Sequence, residues 1–76
     1  MEYPVSEEDA EEMATRLTHH APKGDQTERY EALRTIATMY AGAIMQGTPK
    51  SREQALALTK LEESLMWAIA AIARRE

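Results

Sequence analysis

The run Leu65-Met-Trp-Ala-Ile-Ala-Ala-Ile-Ala73 constrains this chain more than any other feature. Nine consecutive apolar residues fill about two and a half helical turns, so a helix carrying them is apolar on every side rather than along one stripe. Such a helix is buried all round. In a chain of 76 residues a single partner helix covers only one side. The remaining cover must come from other copies, and the expected assembly is a symmetric homo-oligomer. The run is about half the length needed to span a bilayer, so no membrane partner is expected.

The rest of the sequence points to an all-α fold. Strand patterns are absent, and Ala, Glu, Leu, Met, Gln and Arg, all good helix formers, dominate. Three helices are expected, at about 6–18, 26–46 and 52–75, within a single domain spanning 1–76. Ser6 with Asp9 resembles a capping box and opens a short acidic helix, whose apolar stripe (Ala10, Met13, Ala14, Leu17) is narrow enough for it to lie on the others. Tyr3, Pro4 and Val5 are placed to staple its start. Pro22 and Gly24 break the chain, and Asp25 with Glu28 reads as a second capping box. Tyr30, Leu33, Ala37, Tyr40 and Ile44 then repeat at helical spacing. Gly47 suits a left-handed cap and Pro49 prevents continuation. Ser51 with Gln54 opens the third helix, whose seam runs through Ala55, Leu58, Leu61, Leu65, Ala68, Ile69 and Ile72.

Two long helices joined by a short loop pack as an antiparallel hairpin. Counting outward from Pro49 sets Arg34 near Ser64, Tyr30 near Ala68 and Gln26 near Ile72. That register gathers Lys23, Arg29 and Arg34 at the same pole as Arg74 and Arg75. The formal charge is −4, and Glu2, Glu7, Glu8, Asp9, Glu11 and Glu12 put six of the thirteen acids in the first twelve residues. Long nucleic acid, which rewards a broad basic face, is not an expected partner. There is no cysteine, hence no disulfide framework and no thiolate metal site. A domain this small buries only about 60% of its unfolded surface, which again favours oligomerisation. The start of the chain lacks the pattern of a signal peptide, and a soluble, intracellular protein is expected.

Candidate chemistry concentrates between Leu17 and Arg34. Pro22-Lys23-Gly24-Asp25 stands immediately before a helix, where free N–H groups and the positive end of the dipole favour a phosphate; the alternative is an ordinary capped turn. The glycines and the Lys-Ser/Thr of a nucleotide-triphosphate loop are missing. Arg34, one turn beyond Tyr30, presents a fork to phosphate oxygens, and Tyr30 can stack on a base. The competing assignment gives Tyr30 to the core and Arg34 to an ion pair with Glu31 or Glu63. His19 and His20 are adjacent and diverge, so they read as surface or stacking rings rather than metal ligands. Trp67 with Met66 reads as interface packing, with a pocket wall as the alternative. No nucleophile–base constellation can be assembled, so neither an enzyme nor a cofactor is expected.

The segments Pro22-Lys-Gly-Asp-Gln-Thr-Glu-Arg-Tyr-Glu-Ala-Leu-Arg34 and Pro49 to Arg74, the latter containing Leu61-Glu-Glu-Ser-Leu-Met-Trp-Ala68, resemble the helical-hairpin proteins of bacteriophages that act as anti-CBASS sponges. A related hairpin occurs in Thoeris anti-defence proteins, which sequester a cyclic ADP-ribose signal. The resemblance covers residues 17 to 76. It implies a homohexamer that binds cyclic dinucleotides, and in some members cyclic trinucleotides, without cleaving them, in the cytoplasm of an infected bacterial host. It sets the cationic position of the dinucleotide pocket on Arg34 and the stacking position near His19. Relatives commonly show Phe-Thr-Tyr-His where this chain has Leu17-Thr18-His19-His20. Arg74 and Arg75 suit a second anionic pocket near a symmetry axis. The expected ligand-binding residues are therefore His19, His20, Pro22, Lys23, Gly24, Tyr30, Arg34, Arg74 and Arg75. The alternative is a structural homo-oligomeric helical module that binds a partner protein.

Overall fold

The computed structural model describes residues 3–76. Glu2 of the acidic head lies outside them. The described residues form three helices and no strands: α1 Glu7–Leu17, α2 Gln26–Gly47 and α3 Arg52–Arg75. Helix α1 begins where the Ser6 hydroxyl accepts the Asp9 N–H at 3.0 Å, and α3 where the Ser51 hydroxyl accepts the Gln54 N–H at 3.1 Å. Each serine satisfies one of the donors a helix start leaves unpaired.

The other helix boundary signals resolve differently. Asp25 makes no side-chain cap; its carboxylate accepts from Arg29 Nε at 3.2 Å. The side chain of Gln26 takes over instead, its Oε1 accepting the Lys23 N–H at 3.1 Å. Gly47 belongs to the last turn of α2, which ends at extended Thr48 (φ −134°, ψ 151°) rather than in a left-handed cap. Both the N–H and the hydroxyl of Thr48 donate to Ile44 O, at 3.1 and 2.6 Å. Thr18 closes α1 on Ala14 O in the same way. Gly24 alone among the described residues has positive φ, 56°, in the turn before α2, where a Cβ would be strained. The expected staple is absent: Tyr3 and Val5 are exposed.

Helices α2 and α3 run antiparallel, bonded at both ends of the hairpin. Near the turn, Gln54 Nε2 donates to Thr48 O at 3.1 Å. At the open end, Gln26 Nε2 donates to Ile72 O at 3.4 Å, which is the register counted from Pro49. Among the described residues only Tyr30 (7% exposed) and Gln26 (3%) are buried. Leu33, Ala37 and Ile44 of α2, and Leu58, Leu61, Leu65, Ala68, Ile69 and Ile72 of α3, are half-buried along the shared seam. Tyr40 and Ala55, expected in the seam, are exposed.

The cause is geometric. The chain measures 49 × 37 × 13 Å, about one helix diameter thick, so no second layer covers the outer faces. A compact chain of this length has a radius of gyration of roughly 11 Å; this one has 17.1 Å. Its accessible surface is 6407 Å², against about 4,700 Å² for a compact monomer of this mass. Ile36, Met39, Tyr40, Met66 and Trp67 are left exposed on α2 and α3.

Ser51→Ala should lower the unfolding free energy by about 1 kcal/mol, read as a lower urea midpoint at constant slope, while Ser51→Asp should recover most of it. An unchanged midpoint for Ser51→Ala would show that the Ser51 cap does not stabilise α3.

Candidate functional site at the open end of the hairpin

The open end is organised by Gln26, whose burial in a nearly coreless chain follows from its position as the first residue of α2, opposite the last turn of α3. Its amide joins three segments: Oε1 holds the Lys23 N–H, and Nε2 donates to Ile72 O at 3.4 Å and to Glu76 Oε1 at 3.3 Å. Every polar atom of a buried amide needs such a partner, and here the partners fix the linker against α3.

Two carboxylates then take up much of the positive charge gathered at this pole. Glu76 is gripped by Arg29 through both terminal nitrogens, Nη1 to Oε2 at 2.8 Å and Nη2 to Oε1. Lys23 Nζ donates to the Glu76 carbonyl at 2.7 Å. Glu12 of α1 receives Arg75 in two parallel bonds, Nη1 to Oε1 at 2.6 Å and Nη2 to Oε2 at 2.8 Å, together with Arg16 Nε at 3.0 Å. Charge-assisted bonds to the ionised form depress both acids. Arg75, and then Arg16, hold Glu12 at about 2; Arg29, and then Gln26, do the same for Glu76. The partner guanidiniums Arg29 and Arg75 are raised above their ordinary value by the same bonds.

Arg74 differs. It has no carboxylate partner among the described residues, and its guanidinium lies 5.9 Å from the centre of the Trp67 ring, within cation–π range. It borders two clefts. One, of about 450 Å³, is lined by Thr15, His19, His20, Lys23, Gln26, Ala73, Arg74 and Glu76 among others. The other, of about 330 Å³, has a floor of Ala70 and Ala71 and walls of Arg16, Trp67, Arg74 and Arg75. His20 Nε2 lies 2.8 Å from Thr15 O. A carbonyl only accepts, so the ring carries its proton on Nε2 and caps the last turn of α1.

Of the residues expected from the sequence, His19, His20, Lys23 and Arg74 therefore meet in one cleft, and Arg75 stands in the neighbouring one with its fork already filled by Glu12. Pro22 and Gly24 lie in the turn and line neither cleft. Tyr30 is 7% exposed and taken into the packing of the hairpin, the core assignment that the sequence also allowed. Arg34 lies about 12 Å along α2 from Gln26, outside both clefts. It is exposed and paired with Glu31 at 2.9 Å. Gln26 stands where the register from Pro49 sets it, whereas no sequence signal points to Glu12, Arg16 and Glu76 as members of this region. Among the described residues no three His, Asp or Glu side chains are grouped as metal ligands, and no helix is long and apolar enough to cross a membrane.

Chemically, the region offers arginine forks whose present occupants are exposed carboxylates, one arginine with no such occupant, and ring planes from His19 and Trp67. These are the components that hold a phosphorylated ligand with flat bases. A family model described as Acb2/Tad1, hairpin domain, matches residues 9–73, from the first turn of α1 to the residue before Arg74. No curated protein and no solved structure matches the chain.

Since Glu12 and Glu76 sit below their ordinary value of 4.5 at about 2, their contribution to stability is fully present above pH 4.5 and is lost as the pH falls toward 2. The thermal midpoint should drop across that interval. The double variant Glu12→Gln, Glu76→Gln should start lower at neutral pH and lose less on acidification; an equal loss in both proteins would show that these contacts do not tie the segments together.

Proposed function

Because the chain belongs to the Acb2/Tad1 hairpin-domain family, we propose that it captures cyclic oligonucleotide signals, cyclic dinucleotides and in a second pocket cyclic trinucleotides, and holds them without cleavage. Sequestration in the cytoplasm of the infected host would starve a CBASS-type immune effector of its signal. The observation that carries this reading is Arg74, an arginine without a carboxylate, set beside the Trp67 ring and the histidine pair at the junction of two clefts. A cleft of about 450 Å³ lies within the size range of small-molecule sites. Capture of this kind uses forks for the phosphates and rings for the bases, and asks for no general base.

The binding unit in this reading is a homohexamer of single hairpin domains, each spanning 1–76. Two observations support assembly. Trp67, Met66, Ile36, Met39 and Tyr40 are exposed in a chain one helix thick, and patches of that kind mark association surfaces. Arg34, separated along α2 from the His19–Arg74 cleft, acquires a role when a neighbouring copy brings ring and phosphate partners to it. The dinucleotide pocket is thus shared between subunits, with Arg34 on the phosphates and His19 against a base, while Arg74 and Arg75 serve the second pocket.

A thermal-shift panel of cyclic di- and trinucleotides at near-physiological salt should raise the melting temperature with at least one member, by mass action. The nucleotide recovered after denaturation should be intact. No shift with any member would favour the alternative of a structural interaction module, and a linearised product would make the protein an enzyme. Arg34→Ala should weaken cyclic dinucleotide capture about tenfold or more, in line with the loss of a charge-assisted bond, without altering the elution volume of the oligomer. Undiminished affinity would remove Arg34 from the pocket.

A further inference from the structure

The attachment of α1 to the hairpin is almost wholly polar. None of its residues is buried, and an isolated helix of eleven residues is marginal in water. What holds it is the Glu12 carboxylate, seated in the Arg75 fork by bonds of 2.6 and 2.8 Å and touched by Arg16 Nε at 3.0 Å. A phosphate uses that same fork: two oxygens against two parallel N–H groups. The fork lines the cleft that also contains Trp67 and Arg74.

We propose that α1 is a latch: Glu12 occupies the Arg75 fork as an internal anion, and a phosphate of the captured ligand displaces it, releasing α1 from α3. This rests on the reading of Arg75 as a ligand-binding residue. The exchange is feasible because solvent reaches the pair, with 52% of the Arg75 side chain and 33% of the Glu12 side chain accessible, and solvent-screened ion pairs are weak. Once displaced, Glu12 rejoins Glu7, Glu8, Asp9 and Glu11 on a helix that an incoming phosphate repels. Docked α1 and phosphate-bound Arg75 therefore exclude one another, and by linkage each weakens the other by the same factor. The linker follows α1, since His20 is bonded to Thr15 O at 2.8 Å. Release of the latch thereby moves the histidine pair together with α1.

The test is amide hydrogen exchange on the full chain, followed by mass spectrometry. Without any ligand, Glu12→Gln should speed exchange across residues 8–17 about two- to fivefold, the scale of a lost exposed ion pair, while leaving α2 and α3 protected, as expected for opening of one low-stability unit. The charge-reversed pair Glu12→Arg, Arg75→Glu should restore the protection. Inorganic pyrophosphate at matched ionic strength should speed α1 exchange in the wild-type protein and leave Glu12→Gln, whose latch is already open, unaffected. Unchanged α1 exchange in Glu12→Gln overturns the latch, whatever the protein binds, because that readout involves no ligand. Pyrophosphate that leaves wild-type α1 exchange unaltered overturns the displacement.

Discussion

Two antiparallel helices share one seam, and that seam is all the interior this chain possesses. With a thickness of 13 Å there is nothing to cover the far side of either helix, so the apolar run of α3 and the Ile36–Met39–Tyr40 face of α2 remain at the surface. Burial is driven by apolar area removed from water, and the single chain removes little of it. The two buried residues among those described, Tyr30 and Gln26, are both at the open end, where α2, α3 and the linker converge. That convergence makes the open end the best-defined part of the surface, and it is where the charged residues have been collected.

The charge arrangement has its own logic. On the proposed reading, an anion-binding pole in a protein of net charge −4 needs its cations held apart until the ligand arrives, because neighbouring guanidiniums repel. Glu12 and Glu76 meet that need by standing between them: Glu76 separates Lys23 from Arg29, and Glu12 bridges Arg16 and Arg75. The abundance of acid near the start of α1 therefore bears on the basic pole directly, since one of those acids closes onto it. Being exposed, such pairs organise side chains more than they stabilise the fold.

Local chemistry was the legible part of the sequence. Ser6 and Ser51 mark helix starts because a serine hydroxyl reaches the N–H three residues on, a purely local geometry. The Gln26–Ile72 register follows from counting residues outward from one turn. Where two local solutions compete, sequence alone does not choose between them: Gly47 was available for a left-handed cap, but the Thr48 hydroxyl, bonded to Ile44 O, lets the helix end in extended backbone. Asp25 was available as a cap, but Arg29 one turn later claimed its carboxylate. Least legible were the pairings of Glu12 with Arg75 and of Arg29 with Glu76, which join residues 63 and 47 apart. The first depends on the path of the linker between α1 and α2, which no periodicity encodes, while the second depends on how the end of α3 meets the first turns of α2. Of the expected residues, His19, His20, Lys23 and Arg74 share a cleft, whereas Arg34 and Tyr30 lie apart from it and the carboxylates that meet the cations carry no local signal.

The incomplete core and the divided set of cations have a common origin in this geometry. Arg34 projects from the middle of α2, where the single chain offers it only Glu31, whereas Arg74 projects from the end of α3 between two clefts. Nothing within a slab one helix thick can fold over to join them, because any element that did so would supply the missing second layer. On the proposed reading, the neighbour that covers the exposed α2 and α3 faces is also what closes a pocket over Arg34. Ligand capture and burial of apolar surface would then be coupled through the same interface, and substitutions at Ile36 or Met39 would affect binding without touching the ligand.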